Sequence, residues 1–442
     1  MGGHQPTEGG RRVLGATIKR VAADLRRLPR PFWLLSGGTV VYLIGVEMTY
    51  PYETLYLNGR LGVSMTTLGL ILGVTLLATL PLQVVGGALC DKVGRRPVLI
   101  LGILGSMALY GGLALTTDLT AIVALIAFEA AFGWAQYITA SNAIIADVTT
   151  PEQHTEAFSV SRVALNLGIT IGPLIALPLL ARDASFRLNF IASAVVCGGF
   201  LVIVVLWLKE TRPAGVRAGS VLASFRGYGR VLRDRVMLAF CLLMLLPCYA
   251  FGQIWATMPV MLHDLQQVTA ERWSAALVVY GLCMVVLQYP VVRVVGRRDL
   301  ILALTISCLA MGAGIGVAPF APWPGTLACI AAIALGVVLL IPIASAVVSR
   351  LAPAHLRGRY MGAWTLIYMG GYAIGPLLGG WTLDRLGGQV SFVITAAVCL
   401  VGVAAFPLLR RAVREREHVP EPLEPEQALG AELVGERPEQ AV

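Results

Sequence analysis

The chain has 442 residues, of which 57% are hydrophobic and only 13% are charged, whereas a soluble domain is about 25% charged. Apolar runs of about 20 residues, the length that crosses a bilayer, recur along most of the sequence. This composition excludes a soluble globular protein, and it indicates that the net charge of +9 reflects membrane topology rather than nucleic-acid binding.

Twelve membrane-spanning helices are predicted, so we expect an all-α polytopic membrane protein. The first six lie near residues 32–57, 65–90, 97–117, 120–148, 157–181 and 186–208. The second six lie near residues 236–262, 273–295, 299–318, 324–350, 358–383 and 390–410. The predicted domains are a basic N-terminal tail (1–31), a six-helix bundle (32–209), a basic linker (210–235), a second six-helix bundle (236–411) and a disordered tail (412–442).

The basic residues predict the orientation. Of the 34 Lys and Arg residues, 28 fall in the two tails, the linker and alternate loops, all on one side of the predicted spans. Basic residues collect on the cytoplasmic side of membranes, and an even number of spans places both termini on the same side. We therefore predict a multi-pass protein of the cell membrane, surrounded by lipid, with both termini in the cytoplasm.

Span 1 contains two glutamates, in the segment "GVEMTYPYE" at residues 45–53. Counted back from the predicted outer edge, Glu47 lies about 15 Å deep, close to the bilayer midplane. Glu53 lies only about 6 Å from that edge, and we expect it to be a solvated residue at the rim. A carboxylate at the midplane is costly, which makes Glu47 a candidate functional residue.

The loop after span 2 reads "GALCDKVGRR" at residues 87–96. We expect Gly87 to allow a close approach of backbones and Gly94 to make a tight turn. Asp91 offers a carboxylate that can sit at the positive N-terminus of another helix. The basic residues of the loop are candidates for gating contacts, or they only anchor the orientation.

Span 4 contains a second deep acid, Glu129, in "AFEAAFGWAQY". Its depth of about 14 Å is close to that of Glu47, so the two carboxyl groups are candidates to share one pocket. Burial and repulsion would then let at least one of them hold a proton near neutral pH. The alternative for each residue is a neutral, hydrogen-bonded glutamic acid that only holds helices together.

Two related segments lie in spans 5 and 11, "GITIGP" at 168–173 and "GYAIGPLLGG" at 371–380. Small residues four apart let membrane helices approach closely, and proline lets a helix bend. The residues that carry this pattern are Gly168, Gly172, Pro173, Gly371, Gly375 and Pro376.

The two segments are part of an internal repeat. They are separated by 203 residues, and "DKVGRRPVLI" at 91–100 recurs as "RVVGRRDLIL" 202 residues later. The chain therefore consists of two pseudo-symmetric six-helix bundles, the parallel-repeat plan of alternating-access transporters.

These motifs resemble the major facilitator superfamily, and within it the twelve-span drug/proton antiporters. The loop at 87–96 matches the pattern Gly-x-Leu-x-Asp-(Arg/Lys)-x-Gly-Arg-(Arg/Lys). The resemblance implies that Asp91 docks on span 11, and that a loop arginine pairs with an acid at the end of span 4, here Asp147. The gating residues of the loop would be Gly87, Asp91, Gly94, Arg95, Arg96 and Asp147.

The resemblance also implies that spans 1, 4, 7 and 10 line a central cavity. Beside Glu47 and Glu129, the candidate lining residues are Tyr50, Gln136, Tyr249, Gln253, Trp255, Trp364, Tyr368 and Tyr372. The sequence departs from these antiporters at one position in span 4, where they usually carry an arginine and this chain has Glu129. A more acidic cavity favours cationic or neutral lipophilic substrates.

The sequence therefore predicts a proton-coupled exporter of lipophilic small molecules, a monomer without cofactor or metal, which uses the proton gradient as its energy source. One alternative is uptake or facilitated transport of a small metabolite, and another is a non-transporting receptor or scaffold. An ATP-driven pump is disfavoured, because a phosphate-binding loop needs a Gly-Lys pair and none of the three lysines follows a glycine.

Overall fold

A computed structural model describes residues 27–150, 153–182, 186–212, 231, 233–295, 299–353 and 356–417. Most of the predicted N-terminal tail, most of the linker and the chain after residue 417 lie outside these ranges. Within them, every regular element is a helix, as expected in lipid, where the backbone has no water to bind and must satisfy its own hydrogen bonds.

The first half of the chain forms six spans. Span 1 comprises the helix Arg30–Thr49, a 3₁₀ turn at Tyr50–Tyr52 and the helix Glu53–Gly59, whereas span 2 (Met65–Val93) and span 3 (Arg95–Leu115) are single helices. Span 4 is divided into Leu119–Phe132 and Trp134–Val148, and it is followed by span 5 (His154–Arg182) and span 6 (Arg187–Trp207).

The second half repeats this plan. Span 7 (Arg235–Ala256) continues into a short helix, Met258–Gln266, and is followed by span 8 (Ala270–Val295), span 9 (Leu300–Val317) and span 10 (Trp323–Leu351). The last helix, Arg357–Glu417, is interrupted at Gly387, whose φ of +80° is non-helical. A straight helix of 61 residues would measure about 90 Å, far more than a bilayer core, so Gly387 separates spans 11 and 12.

The predicted twelve spans agree with this architecture. In the described residues, eleven helices are long and apolar enough to cross a membrane, and the last of them contains both span 11 and span 12. Four spans begin at polar side chains that accept backbone N–H groups of the first turn, namely those of Ser64, Asp118, Asp234 and Asp299. Such N-caps satisfy donors that would otherwise lack partners.

The last helix extends farther than the sequence analysis predicted. Residues 412–417 are helical, although the disordered tail was expected to begin at residue 412. Ion pairs support this extra turn, because Arg410 and Arg414 both contact Asp299 at the start of span 9, at 2.5 and 3.0 Å. Arg411 adds an ion pair to Glu415, one turn further along, at 2.7 Å.

The proline segments of spans 5 and 11 pack in equivalent places. A Cβ added to Gly172 would lie 2.7 Å from the Cβ of Glu47 in span 1. A Cβ added to Gly375 would lie 2.7 Å from the carbonyl oxygen of Tyr249 in span 7. The close approach predicted from the small residues is therefore present in both halves, with span 5 against span 1 and span 11 against span 7.

The bundle has two ends, which we name by residues. The loop end carries Asp91–Arg96, and the sequence predicts that it faces the cytoplasm. The opposite end carries the starts of spans 2 and 8, at Met65 and Ala270.

Candidate functional site

Glu47 lies in the interior of the protein, near the point where span 1 is broken. Its side chain is only 8% exposed, and its Oε2 atom has no hydrogen-bond partner among the described residues. It lies against Gly172 of span 5. It stands three residues before Tyr50, whose hydroxyl group meets that of Tyr372 in span 11. Glu47 is thus a buried acid close in sequence to aromatic side chains that meet across the halves.

Those side chains belong to an aromatic cluster at the contact between the halves. Its members come from spans 1, 7, 8 and 11 and have neighbouring ring centroids 5.3–6.5 Å apart; they are Tyr50, Phe251, Trp255, Tyr280, Trp364, Tyr368 and Tyr372. The Tyr50 and Tyr372 hydroxyl oxygens are 2.8 Å apart. The structure therefore brings together five of the predicted lining residues, Tyr50, Trp255, Trp364, Tyr368 and Tyr372.

The sequence analysis missed Phe251 and Tyr280 as members of this cluster. Phe251 lies one helical turn before Trp255, so it had a detectable signal as an aromatic residue on the same face of span 7. Tyr280 stands alone in an otherwise apolar stretch of span 8. Its signal was the unusual hydroxyl group in the middle of a membrane span.

Three other predicted lining residues are not in the cluster. The Gln253 amide donates a hydrogen bond to Thr395 in span 12, at 2.7 Å. The Gln136 amide donates to the carbonyl of Ala131, at 2.8 Å. Tyr249, one turn before Gln253, is also buried. A buried amide requires hydrogen-bond partners. Both glutamine amides have their partners within their own half.

Glu129 lies at the break in span 4. Its Oε1 accepts a hydrogen bond from the backbone N–H of Trp134, at 2.9 Å, and another from the hydroxyl of Ser106 in span 3, at 3.2 Å. The Ser106 hydroxyl is 2.8 Å from that of Tyr42 in span 1. Because the helix restarts after Gly133, the free N–H of Trp134 needs this acceptor. Glu129 thus links spans 1, 3 and 4 by hydrogen bonds. This is the arrangement expected of a hydrogen-bonded glutamic acid that holds helices together.

Glu53 corrects one expectation. It was predicted to be a solvated residue at the rim, but it is only 6% exposed. Span 1 is not one continuous helix, and its last segment extends to Gly59, so the count from the predicted edge underestimated the depth. Glu53 is therefore a second buried acid of span 1, six residues after Glu47.

A small cavity adjoins Glu53 between the halves. It has a volume of about 10 Å³, the size of one water molecule. Its lining includes Tyr50 and Thr54 from span 1, and Trp255 and Tyr372 from the second half. The central region is therefore closely packed in this conformation.

At the loop end, Arg95 is the centre of an ion-pair network. Its side chain is 2.7 Å from Asp147 at the end of span 4 and 3.2 Å from Asp91, and it also donates to the carbonyl of Cys90 at 3.0 Å. The pair with Asp147 is the one that the resemblance implied. Asp91, which was expected to dock on span 11, is paired within its own half in this conformation.

Two glycines of the loop differ from each other. Gly94 has a φ of +110°, a conformation that glycine adopts without strain, so the predicted tight turn is present. The close approach predicted at Gly87 was wrong, because a Cβ added there would meet nothing within 4 Å. It occurs one residue earlier, where a Cβ on Gly86 would meet the amide of Gln136.

Glu210, just after span 6, is a further residue of this network that the sequence analysis did not identify. Its carboxylate accepts the backbone N–H groups of Arg95 and Arg96 at 2.9 and 3.2 Å, and thus caps span 3, since Gly94 has no side chain with which to do so. Partial burial opposes ionisation, but backbone hydrogen bonds from Arg95, Arg212, Arg96 and Thr211 hold the pKa of Glu210 below its ordinary value. Its signal was a lone acid directly after a span, in "LKETRP".

Arg96 adds a second contact between the start of span 3 and the end of span 6. Its guanidinium group donates to the carbonyl oxygens of Val205 and Val204 at 2.6 and 3.4 Å. These carbonyls belong to the last turn of span 6, where a positive charge is favourable. The loop therefore joins spans 3, 4 and 6 at the loop end.

The model of the Major Facilitator Superfamily matches residues 35–298 and 248–438. The chain belongs to the major facilitator superfamily. It is a membrane transporter and not an enzyme, and members of this superfamily generally need no cofactor.

Two relatives and one solved structure are similar to this chain. Multidrug resistance protein MdtH of Aeromonas hydrophila is 29% identical over 346 residues, which cover 76% of this chain and 83% of that protein. A Na(+), Li(+), K(+)/H(+) antiporter of Planococcus maritimus is 24% identical over 361 residues, covering 75% and 84%. The crystal structure of the human organic anion transporter MFSD10 has a TM-score of 0.61 at 19% identity, covering 86% of this chain and 100% of that one, which shows a common fold.

Proposed function

We propose that this transporter exports lipophilic small molecules, cationic or neutral, in exchange for protons, by alternating access across the cell membrane. The observation that carries the proposal is the Glu47 carboxyl group, which is buried with an unpartnered oxygen and stands three residues before Tyr50 of the aromatic cluster. The names of two relatives, a multidrug resistance protein and a cation/proton antiporter, support the same direction and coupling.

Charge and solvation explain how such a site would exchange protons for substrate. An ionised carboxylate that is buried without a partner costs several kcal/mol. Glu47 therefore keeps a proton in the closed arrangement and gives it up when a cation or water reaches it. The faces of the aromatic rings attract organic cations and bury apolar substituents. A cation and a proton would thus compete for one carboxyl group.

Glu53 gives the proton a second position near the opposite end. It lines the small cavity between the halves and follows Glu47 by six residues in span 1. When the halves separate at this end, water reaches Glu53 first and Glu47 next. We propose that the acids of span 1 load with protons from that side.

The experiment is pH-driven efflux from proteoliposomes with the Glu47→Gln variant. We expect this variant to lose at least 90% of efflux driven by a pH gradient while it keeps its thermal stability. Glu156→Gln is the matched control, because Glu156 is exposed at the start of span 5. Full efflux by Glu47→Gln would remove Glu47 from the mechanism.

Counterflow separates export by exchange from uptake or facilitated transport of a metabolite. Vesicles preloaded with a lipophilic cation are assayed with and without a pH gradient. We expect accumulation against the substrate gradient only when the pH gradient is present. Equal counterflow in both conditions would favour facilitated transport instead.

A further inference from the structure

Asp384, at the end of span 11, makes three hydrogen bonds to the start of span 2 in the other half. Its Oδ1 accepts the backbone N–H of Met65 at 3.2 Å, and its Oδ2 accepts the backbone N–H of Thr66 at 2.6 Å. The hydroxyl of Thr66 also donates to Oδ2, at 2.6 Å. One carboxylate therefore binds two consecutive backbone donors 318 or more positions away in the sequence.

These bonds complete the N-cap of span 2. Ser64 is the N-cap residue, and its hydroxyl accepts the N–H of Thr67, at 3.2 Å, and is 2.9 Å from the Thr67 hydroxyl. The first two N–H groups of the helix have no carbonyl partner within the helix. Asp384 supplies that partner from the other half, and its negative charge is favourable at the positive end of the helix.

The carboxylate reaches span 2 only because the two backbones are in close contact there. A Cβ added to Gly380 would collide with the carbonyl oxygen of Met65, and one added to Gly69 would collide with that of Pro376. Any separation of the halves at this end would move Asp384 away from Met65 and Thr66. The three hydrogen bonds are therefore specific to the conformation that is closed at the opposite end.

The sequence around Asp384 is a second copy of the loop pattern. "GGWTLDRLG" at 379–387 has the same spacing of glycines, acid and basic residue as "GGALCDKVG" at 86–94. Both segments finish on a glycine with positive φ, Gly94 at +110° and Gly387 at +80°. Spans 2 and 11 thus end in the same way at opposite ends of the bundle, each with an aspartate one turn before the final glycine.

In the pseudo-symmetric pair, the described end of span 5, up to Arg182, offers no acid to span 8. At the repeat offset of 203 residues, Ala181 takes the place of Asp384. The N–H of Arg272 in the first turn of span 8 is accepted instead by the local hydroxyl of Thr269, at 3.3 Å. Span 2 is thus capped across the halves by an acid, whereas the described first turn of span 8 is capped by its own neighbouring hydroxyl.

We propose that Asp384 is a latch that holds the opposite end closed by capping span 2 across the halves, and that it is released whenever this end opens. The latch goes beyond the proposed function, because it needs the two halves to move but does not depend on the substrate or on protons. Loss of the latch shifts the population toward the open state by about the contribution of one N-cap, roughly fivefold.

The test measures the distance between the halves at this end by double electron–electron resonance. Spin labels are attached at Gly59→Cys and Glu271→Cys. These two positions lie on opposite halves and line one pocket at the opposite end of the bundle. A Cβ at residue 59 meets nothing within 4 Å. Seven of the eight native cysteines are buried, and labelling of the parent chain gives the background. In Asp384→Ala we expect the ratio of long to short distances to rise about fivefold.

Asp118→Ala is the matched control. Asp118 is also an aspartate that caps a helix at the opposite end, accepting the N–H of Ala121 at 2.8 Å, but both residues belong to the first half. We expect this variant to leave the distance ratio unchanged.

A second variant protects the test against misfolding. Thr66→Val removes one of the three hydrogen bonds and leaves the backbone donors, so we expect a smaller shift in the same direction. An unchanged ratio in Asp384→Ala, or an equal shift in Asp118→Ala, would overturn the latch. Because no transport is measured, either result is independent of whether the protein exports drugs.

Discussion

The hydroxyl groups of Tyr50 and Tyr372 meet across the two halves, with their oxygens 2.8 Å apart. Tyr50 stands in the 3₁₀ turn of span 1, and Tyr372 stands in the proline segment of span 11. This hydrogen bond therefore joins the two halves directly beside the small cavity that Glu53 lines.

Removing either hydroxyl should loosen this contact. A hydrogen bond of this kind contributes about 1 kcal/mol, so Tyr50→Phe and Tyr372→Phe should each raise the ratio of long to short distances about fivefold. The double variant should show no further change, because the two hydroxyls serve one bond. Distances between labels at residues 59 and 271 provide the measurement. Additive effects of the two substitutions would show that the hydroxyls act separately.

The pair of Arg95 and Asp147 should dominate stability at the loop end. Arg95 is only 6% exposed, and Asp147→Ala leaves its buried guanidinium group with the more distant Asp91 as its remaining carboxylate partner. We expect a cost of up to about 3 kcal/mol. We expect Asp147→Ala to lower the thermal unfolding temperature by several degrees in detergent. Arg411→Ala, which breaks an ion pair on the surface, should leave the unfolding temperature almost unchanged, because solvent screens exposed ion pairs. Equal losses would contradict the central position of Arg95.

Glu210 should make the stability of the transporter depend on acid pH. Partial burial opposes ionisation, but the backbone hydrogen bonds from Arg95, Arg212, Arg96 and Thr211 lower the pKa of Glu210. Its contribution to folding is therefore present above the unfolded pKa of about 4.3 and is lost as the pH falls through the lower folded value. Glu210→Gln should be less stable than the parent by about 1 kcal/mol at pH 7, and the difference should shrink below about pH 4.

Unfolding curves at several pH values, with Glu415→Gln as the control, test this dependence. Glu415 is exposed and lies in the exposed ion pair with Arg411. A difference between Glu210→Gln and the parent that stays constant from pH 7 to pH 3 would show that ionisation of Glu210 does not matter.

Gly172 and Gly370 should respond to alanine in opposite directions. A Cβ at Gly172 would press on span 1 at Glu47, and overpacking of this kind costs about 1–3 kcal/mol. A Cβ at Gly370 in span 11 meets nothing within 4 Å, so alanine there should stabilise the helix by about 0.5–1 kcal/mol. Thermal unfolding of the two variants gives the comparison, and a stabilised Gly172→Ala protein would be inconsistent with the close packing of spans 1 and 5.

Several features of the site were predictable because they depend on residue type and spacing. The two proline segments and the loop at 87–96 indicated where helices pack and turn, and the pair of Arg95 with Asp147 followed from the family resemblance. Glu47 was recognisable because a carboxyl group in an apolar run is costly and rare.

Other features depended on contacts between distant segments. The burial of Glu53 follows from the broken helix of span 1, and the capping of span 3 by Glu210 joins residues 115 positions apart. The bonds of Gln136 and Gln253 within their own halves depend on which face of each helix meets a neighbour. Spacing along the chain does not determine these rotations, because several faces of a membrane helix are equally apolar.

The sequence by itself determined that this chain crosses the membrane many times, that it repeats after six spans, and that it belongs with the facilitator transporters. Long apolar runs, the repeat offset and the loop signature are patterns of residue type and spacing. They are visible in the sequence without knowledge of any tertiary contact. Only the tertiary structure decided that Asp384 caps span 2 and that Glu129 bonds to Ser106 and Trp134. Hydrogen bonds require two groups within about 3 Å, and that proximity arises only when the helices pack.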